Sequence, residues 1–145
     1  ETHLKQALSK TVWLSCGGYL VIEPTEAMTV IDVNSGKGTN VKGSKRNHLY
    51  FNVNLEAAKE IARQLKLRNL SGMIMVDFIN MDSKEEEKKL LQSLGKWLEN
   101  DPIKTRLVDI TALGIVEITR KKERKPLKEY FKIYDGKEGT THGAV

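Results

Sequence analysis

A chain of 145 residues and 16.4 kDa is long enough to bury one hydrophobic core without disulfides or metals to staple it. With 39% apolar and 30% charged residues its composition excludes disordered and collagen-like classes, and the single cysteine, Cys16, excludes an internal disulfide. The net charge of +5 is too modest to name a partner by itself, no stretch reaches the ~18 apolar residues of a membrane span, and the start (Glu1, Thr2, His3) lacks a secretory pattern, so a cytoplasmic protein without a membrane partner is expected.

In chain order, residues 12–14 and 19–22 are short β-prone runs flanking Gly17-Gly18, which predicts a hairpin that Pro24 ends. Residues 27–33 form a further apolar, β-branched run interrupted only by Asp32. Residues 34–48 are polar and rich in Gly, Ser and bases, and predict a mobile basic loop. Asn52 or Asn54 is the expected cap of a helix reaching Leu67, with Leu55, Ala58, Ala62 and Leu65 on one face. Residues 73–79 are nearly continuous in apolar side chains except for Asp77, as in a strand covered on both faces. Ser83 and Glu86 form a capping-box pattern that opens a second helix, whose Leu90, Leu91, Leu94, Trp97 and Leu98 stripe belongs to the core and which Pro102 bounds. Residues 106–111 and 114–119 predict two strands joined by a turn. Beyond residue 122 the chain is basic, with a short helix expected at 127–134 and a frayed end.

This order predicts an α/β fold, with a mixed sheet of parallel central strands flanked by two helices and antiparallel hairpins outside them. Loops beyond the carboxyl ends of such strands form the binding crevice, and Asp32 and Asp77 both stand near those ends. Neighbouring carboxylates repel, which raises a pKa or recruits a cation; magnesium takes one or two carboxylates and completes its shell with water and phosphate oxygen. Asn34, two residues past Asp32 on the same strand face, adds an amide. The competing reading is that both Asp residues are strand-end groups satisfied by loop amides or helix N-termini. A nucleotide loop at residues 35–39 is disfavoured, because Ile31 and Gly38 stand where a phosphate loop needs Gly and Ser or Thr. His48 reads as an exposed polar residue, and no paired Cys/His spacing offers a zinc site. Charge is locally uneven: Lys37, Lys42, Lys45 and Arg46 fall in an acid-free stretch, and residues 118–132 hold seven bases against Glu123 and Glu129. Such regions suit a polyanion, although a solvated loop or tail has the same composition.

Five segments resemble one family in unbroken order: residues 15–22 (SCGGYLVI) with Thr25-Glu26-Ala27, Ile31-Asp32-Val33-Asn34-Ser35-Gly36, residues 54–68 (NLEAAKEIARQLKLR), Val76-Asp77-Phe78-Ile79-Asn80-Met81, and residues 113–120 (LGIVEITR). Together they resemble the deoxyribonuclease I-like catalytic subdomain of the ribonuclease E/G family over roughly the first 122 residues. The resemblance implies a magnesium-dependent endoribonuclease, with manganese as a substitute ion, that cuts single-stranded RNA in RNA processing and decay. It makes Asp32 and Asp77 the metal-binding carboxylates and Asn34 the group that supports the attacking water or the scissile phosphate, leaving 5′-phosphate and 3′-hydroxyl ends. Lys37, Lys42, Lys45 and Arg46, with Lys104 and Arg106, are the expected phosphate contacts.

The family's upstream RNA-binding barrel and 5′-end pocket are not in this chain, which reads as an excised domain of residues 1–122 followed by a basic tail, 123–145. The oligomeric state is left open, with regions missing from this chain as a route to a homo-oligomer, and no zinc is expected, since Cys16 has no Cys-x-x-Cys partner. Two rival functions are a non-catalytic RNA-binding or scaffold module of the same fold, and a metal phosphatase acting on a small phosphoester.

Overall fold

Alternation of apolar and polar residues dictates which side of each strand is covered. In the computed structural model, which describes residues 9–36 and 44–122, six strands form one sheet: β1 (Thr11–Trp13), β2 (Tyr19–Pro24), β3 (Met28–Asn34), β4 (Gly72–Asp77), β5 (Thr105–Ile110) and β6 (Val116–Arg120). Their order is β1-β2-β3-β4-β6-β5, with β3 and β4 parallel and every other neighbouring pair antiparallel. Helix α1 (Ser44–Leu67) makes the crossover from β3 to β4, and α2 (Lys84–Glu99) leads from β4 to β5. The expected mixed α/β sheet is present, with its parallel part reduced to one central pair. No helix is long and apolar enough to cross a membrane among the described residues.

In β1, β2, β3, β4 and β6 alternate residues point into a single core. Leu20, Ile22, Ile31, Val33, Ile74, Val76, Val116 and Ile118 are buried there, and the register places Ile31 beside Val76, Ile74 beside Ile118 and Val76 beside Val116. Val53, Ala57, Ile61 and Leu65 of α1 and Leu90, Leu94 and Leu98 of α2 close the core from above. Removing this surface from water, at about 25 cal/mol per Å² of apolar area, is the main force holding the sheet to the helices. Ser83 caps α2 as expected, its side chain accepting the Glu86 amide at 3.1 Å.

Three expectations need correction. β4 is covered on one face only, because both helices pack on the same side; Met73 is 42% exposed and Val30 38%. The apolar run therefore exceeds what the core requires. Helix α1 begins at Ser44, inside the segment expected to be a loop, because Leu49 and Val53 extend its stripe at four-residue spacing and Leu49 packs on the core. Asn54, an expected cap, accordingly lies within the helix and is fully buried. The expected helix at 127–134 and the 122/123 boundary's tail lie outside the described residues.

One buried ion pair ties the end of β6 to two loops. Arg120, at the end of β6, bonds Asp101 at 2.7 Å through Nε, and its Nη1 donates to the Asn69 side chain and to the Leu70 carbonyl, both at 3.0 Å. The two side chains are 2% and 3% exposed, so the pair is shielded from solvent, and the Ile103 amide and the Thr105 hydroxyl complete the shell around Asp101. Burial alone would raise the Asp101 carboxyl, but the Arg120 hydrogen bond and those two donors outweigh it and hold the group below its usual value. A carboxyl lowered on folding stabilises the protein fully above the unfolded value of about 3.9 and loses that contribution as pH falls through the lower folded value. Asp101→Ala, which strands a buried guanidinium, is expected to cost about 3–5 kcal/mol in urea unfolding at neutral pH. The gap between parent and variant is expected to shrink once the pH drops well below 4, roughly the unfolded Asp value; a gap that stayed constant into strong acid would contradict this account.

Candidate active site

The face of the sheet opposite the helices carries the polar strand residues. Asp32 and Asp77 are direct register partners at the carboxyl ends of the parallel pair β3 and β4, which places their backbones about 4.8 Å apart, one strand spacing. Both residues are exposed. Desolvation, and then repulsion from Asp32, raise the Asp77 carboxyl above its ordinary value. Among the described residues no basic side chain forms an ion pair with either carboxylate, and the single hydrogen bond to the pair comes from the Asn34 amide, which donates to Asp32 at 3.4 Å. The alternative in which loop amides or helix N-termini satisfy the two Asp residues is therefore not what the described residues display. The donor set fits a hard divalent cation that takes two carboxylates and keeps water and phosphate oxygen for its other positions.

Two devices hold the ends of these strands. Asn54, from the interior of α1, donates its amide to the Ile79 carbonyl at 2.9 Å and accepts the Ile79 N–H at 3.0 Å. This takes the backbone two residues after Asp77 out of the ladder and explains why β4 ends at Asp77. On the other strand, a Cβ at Gly36 would collide with the Gly17 carbonyl, and Gly36 has φ +77°; a Cβ at Gly18 would come within 2.6 Å of the Asn34 carbonyl. The β1–β2 turn thus packs directly on the end of β3 and sets the path of Asn34 and Ser35, at positions where only glycine fits without strain. Glu56 of α1 anchors the same turn by accepting the Ser15 and Cys16 amides. Sequence reasoning takes Asn54 for a cap and the Gly pair for an ordinary hairpin; the helical stripe through Val53, Ala57 and Ile61 is the signal that Asn54 faces inward.

The expected basic contacts are divided. Lys45 and Arg46 are exposed in the first turn of α1, while Lys37 and Lys42 lie outside the described residues. Arg106 stands on the open face, but its register partner Thr119 pairs with Met73, four residues before Asp77. That is about 13 Å along the strand and two strands across, so the structure does not bring Arg106, or Lys104 before it, to the carboxylate pair. Glu117 also lies on this face, opposite Met75, and nothing in the sequence pattern singles it out.

The sequence matches the Ribonuclease E/G family over residues 1–123. It is 48% identical to Ribonuclease E of Synechocystis sp. over 128 residues, which are 88% of this chain and 19% of that protein. It is 45% identical to Ribonuclease E of Nostoc sp., covering 88% and 18% of the two chains, and 43% identical to Ribonuclease G of Escherichia coli, covering 88% and 26%. The chain thus spans about a fifth to a quarter of the length of these relatives.

How the strand end is held is open to a direct check. Asn54→Ala leaves both Ile79 backbone groups unpaired and is expected to lower the unfolding free energy by about 2–4 kcal/mol, measured by urea denaturation. A loss below about 0.5 kcal/mol, the range of an ordinary surface change, would show that Ile79 does not depend on Asn54.

Proposed function

Since the chain belongs to the ribonuclease E/G family, we propose that it is the catalytic portion of an endoribonuclease that cleaves single-stranded RNA with a magnesium ion, or manganese in its place, held by Asp32 and Asp77. The observation that carries this reading is the in-register placement of the two carboxylates on the open sheet face. Asp32 and Asp77 would supply two oxygen ligands from adjacent strands, and a bound cation would favour the charged form of the Asp77 carboxyl, which desolvation first and then repulsion from Asp32 disfavour. Such an ion, when bound, polarises a phosphoryl oxygen and lowers the pKa of water. Asn34, on the Asp32 side, has an amide that can donate to a phosphate oxygen or orient the attacking water. In-line attack of that water would form a new P–O bond and break the bond from phosphorus to the 3′ oxygen, which takes up a proton, leaving 5′-phosphate and 3′-hydroxyl ends. Lys45 and Arg46, with Lys37 and Lys42 from the preceding segment, are proposed to hold neighbouring phosphates, a contact that positions the strand without reading its sequence. The names of the relatives support the reaction class, and a cytoplasmic site of action is part of the same proposal.

The test is calorimetric titration of magnesium and manganese into the 145-residue chain, together with cleavage of an unstructured RNA. The parent is expected to bind one ion at this centre; Asp32→Asn and Asp77→Asn are each expected to lose that binding and to cut at least about a hundredfold more slowly. Ion binding unchanged by both substitutions would remove the metal centre. RNA binding without turnover in the parent would leave a binding or scaffold module, and consumption of a small phosphomonoester with RNA spared would make the chain a phosphatase.

A further inference from the structure

The row of side chains on the open face continues past Asn34. Tyr19 is the register partner of Asn34, and Trp13 is the partner of Tyr19, so an indole, a phenol and an amide stand side by side across β1, β2 and β3. Trp13 is 69% exposed. Its ring centroid lies 4.8 Å from that of Tyr19, with the planes tilted by 48°, an aromatic pair packed against itself and not against the core. The two rings line a cavity of about 770 Å³ together with Thr11, Asn34, Ser35 and Gly36.

We propose that Trp13, braced by Tyr19, is a stacking platform for a base of the RNA strand, beside the phosphate that would lie at the ion held by Asp32 and Asp77. The proposal rests on RNA being the substrate and deepens that reading with a subsite the carboxylate pair itself does not require. Three observations carry it. Trp13 is about 10 Å, two strand spacings, from Asn34, a distance that a base attached to a neighbouring nucleotide spans. The amide and hydroxyls of Asn34, Ser35 and Thr11 surround the rings and can bond base edges, and the cavity's lining has no carboxylate to repel a polyanion. Single-stranded RNA is held in this manner, by stacking on an aromatic face with hydrogen bonds at the base edge. A protein partner would also cover Trp13, but continuity of the cavity with Asn34 favours the substrate strand.

The measurement is fluorescence anisotropy of the 145-residue chain with a labelled short oligouridylate and with a matched abasic oligomer, in low salt and EDTA so that nothing is cut. The parent is expected to bind the base-bearing strand more tightly. Trp13→Ala is expected to weaken that binding by roughly tenfold while leaving the abasic strand unaffected, and Trp13→Phe to restore most of it. The comparison of the two strands on the parent chain requires no variant at all. Equal binding of both strands by the parent, or equal losses for both in Trp13→Ala, would overturn the platform. Unchanged RNA affinity in Trp13→Ala accompanied by altered self-association in sedimentation would assign Trp13 to a protein contact instead. A parent that stacks bases but does not cut RNA when magnesium is supplied sinks the nuclease reading alone, and one that cuts RNA without base-dependent binding sinks the platform alone.

Discussion

The parallel pairing of β3 with β4 is the constraint on which the rest of the molecule depends. Like charges one strand apart oppose each other, and nothing in their own chemistry would bring Asp32 to Asp77. They are held there because Ile31 and Val76, one residue earlier on each strand, are register partners on the other face and are completely buried. The sheet alternates, so burying those two side chains obliges the next two to emerge together on the open side. A hydrophobic choice on one face thereby fixes an electrostatic arrangement on the other, and the repulsion is small beside the apolar area secured by β3, β4 and the helix that joins them.

The supports around this pair divide by what each can resist. Core packing fixes where the strands lie, but it does not decide where they end, and the ends determine the reach of the polar groups. Asn54 and the Gly18–Gly36 contact act at those ends, one by claiming the backbone of Ile79 and the other by admitting the β1–β2 turn to van der Waals distance of Asn34. The Arg120–Asp101 pair acts farther away, where β6 meets the loops before β4 and β5. It fixes the flank of the sheet away from the carboxylates, so the residues that stabilise that flank are separate from those that set the carboxylate pair and need not be traded against them.

Much of this is legible in the sequence, for physical reasons that also account for what is not. The strands show because short β-branched runs suit a pleated, half-buried surface better than a helix, and the Ser83 cap shows because its geometry is local. The start of α1 does not, since the Gly, Ser and Lys content preceding it resembles a loop and the stripe through Leu49 is carried by tertiary contact instead of by propensity. The bare face of β4 is hidden for the opposite reason: Met73 and Val30 are apolar without being covered, so composition overstates burial. Asn54 passes for a cap because a helix-interior Asn has no local purpose, and its purpose lies 25 residues away. The carboxylates stand out because they interrupt apolar runs; the glycines that shape the adjoining turn interrupt nothing.

A sheet of this kind is unequally tolerant of length change. Residues inserted between β3 and α1 would enlarge a connection whose closure entropy grows only slowly with its length, whereas a single residue added within β3 or β4 would carry one carboxylate to the covered face and bring an apolar side chain out. The irregularity the sheet does contain, a register shift between Leu107 and Asp109, falls on β5, the outermost strand on its side, with β6 interposed before β4. A bulge there can twist a sheet margin and discourage edge-to-edge pairing without disturbing the alignment at the centre. Insertions and deletions in relatives should therefore collect in the crossover and at the margins, leaving the spacing within the two middle strands as the most rigid part of the chain's inheritance.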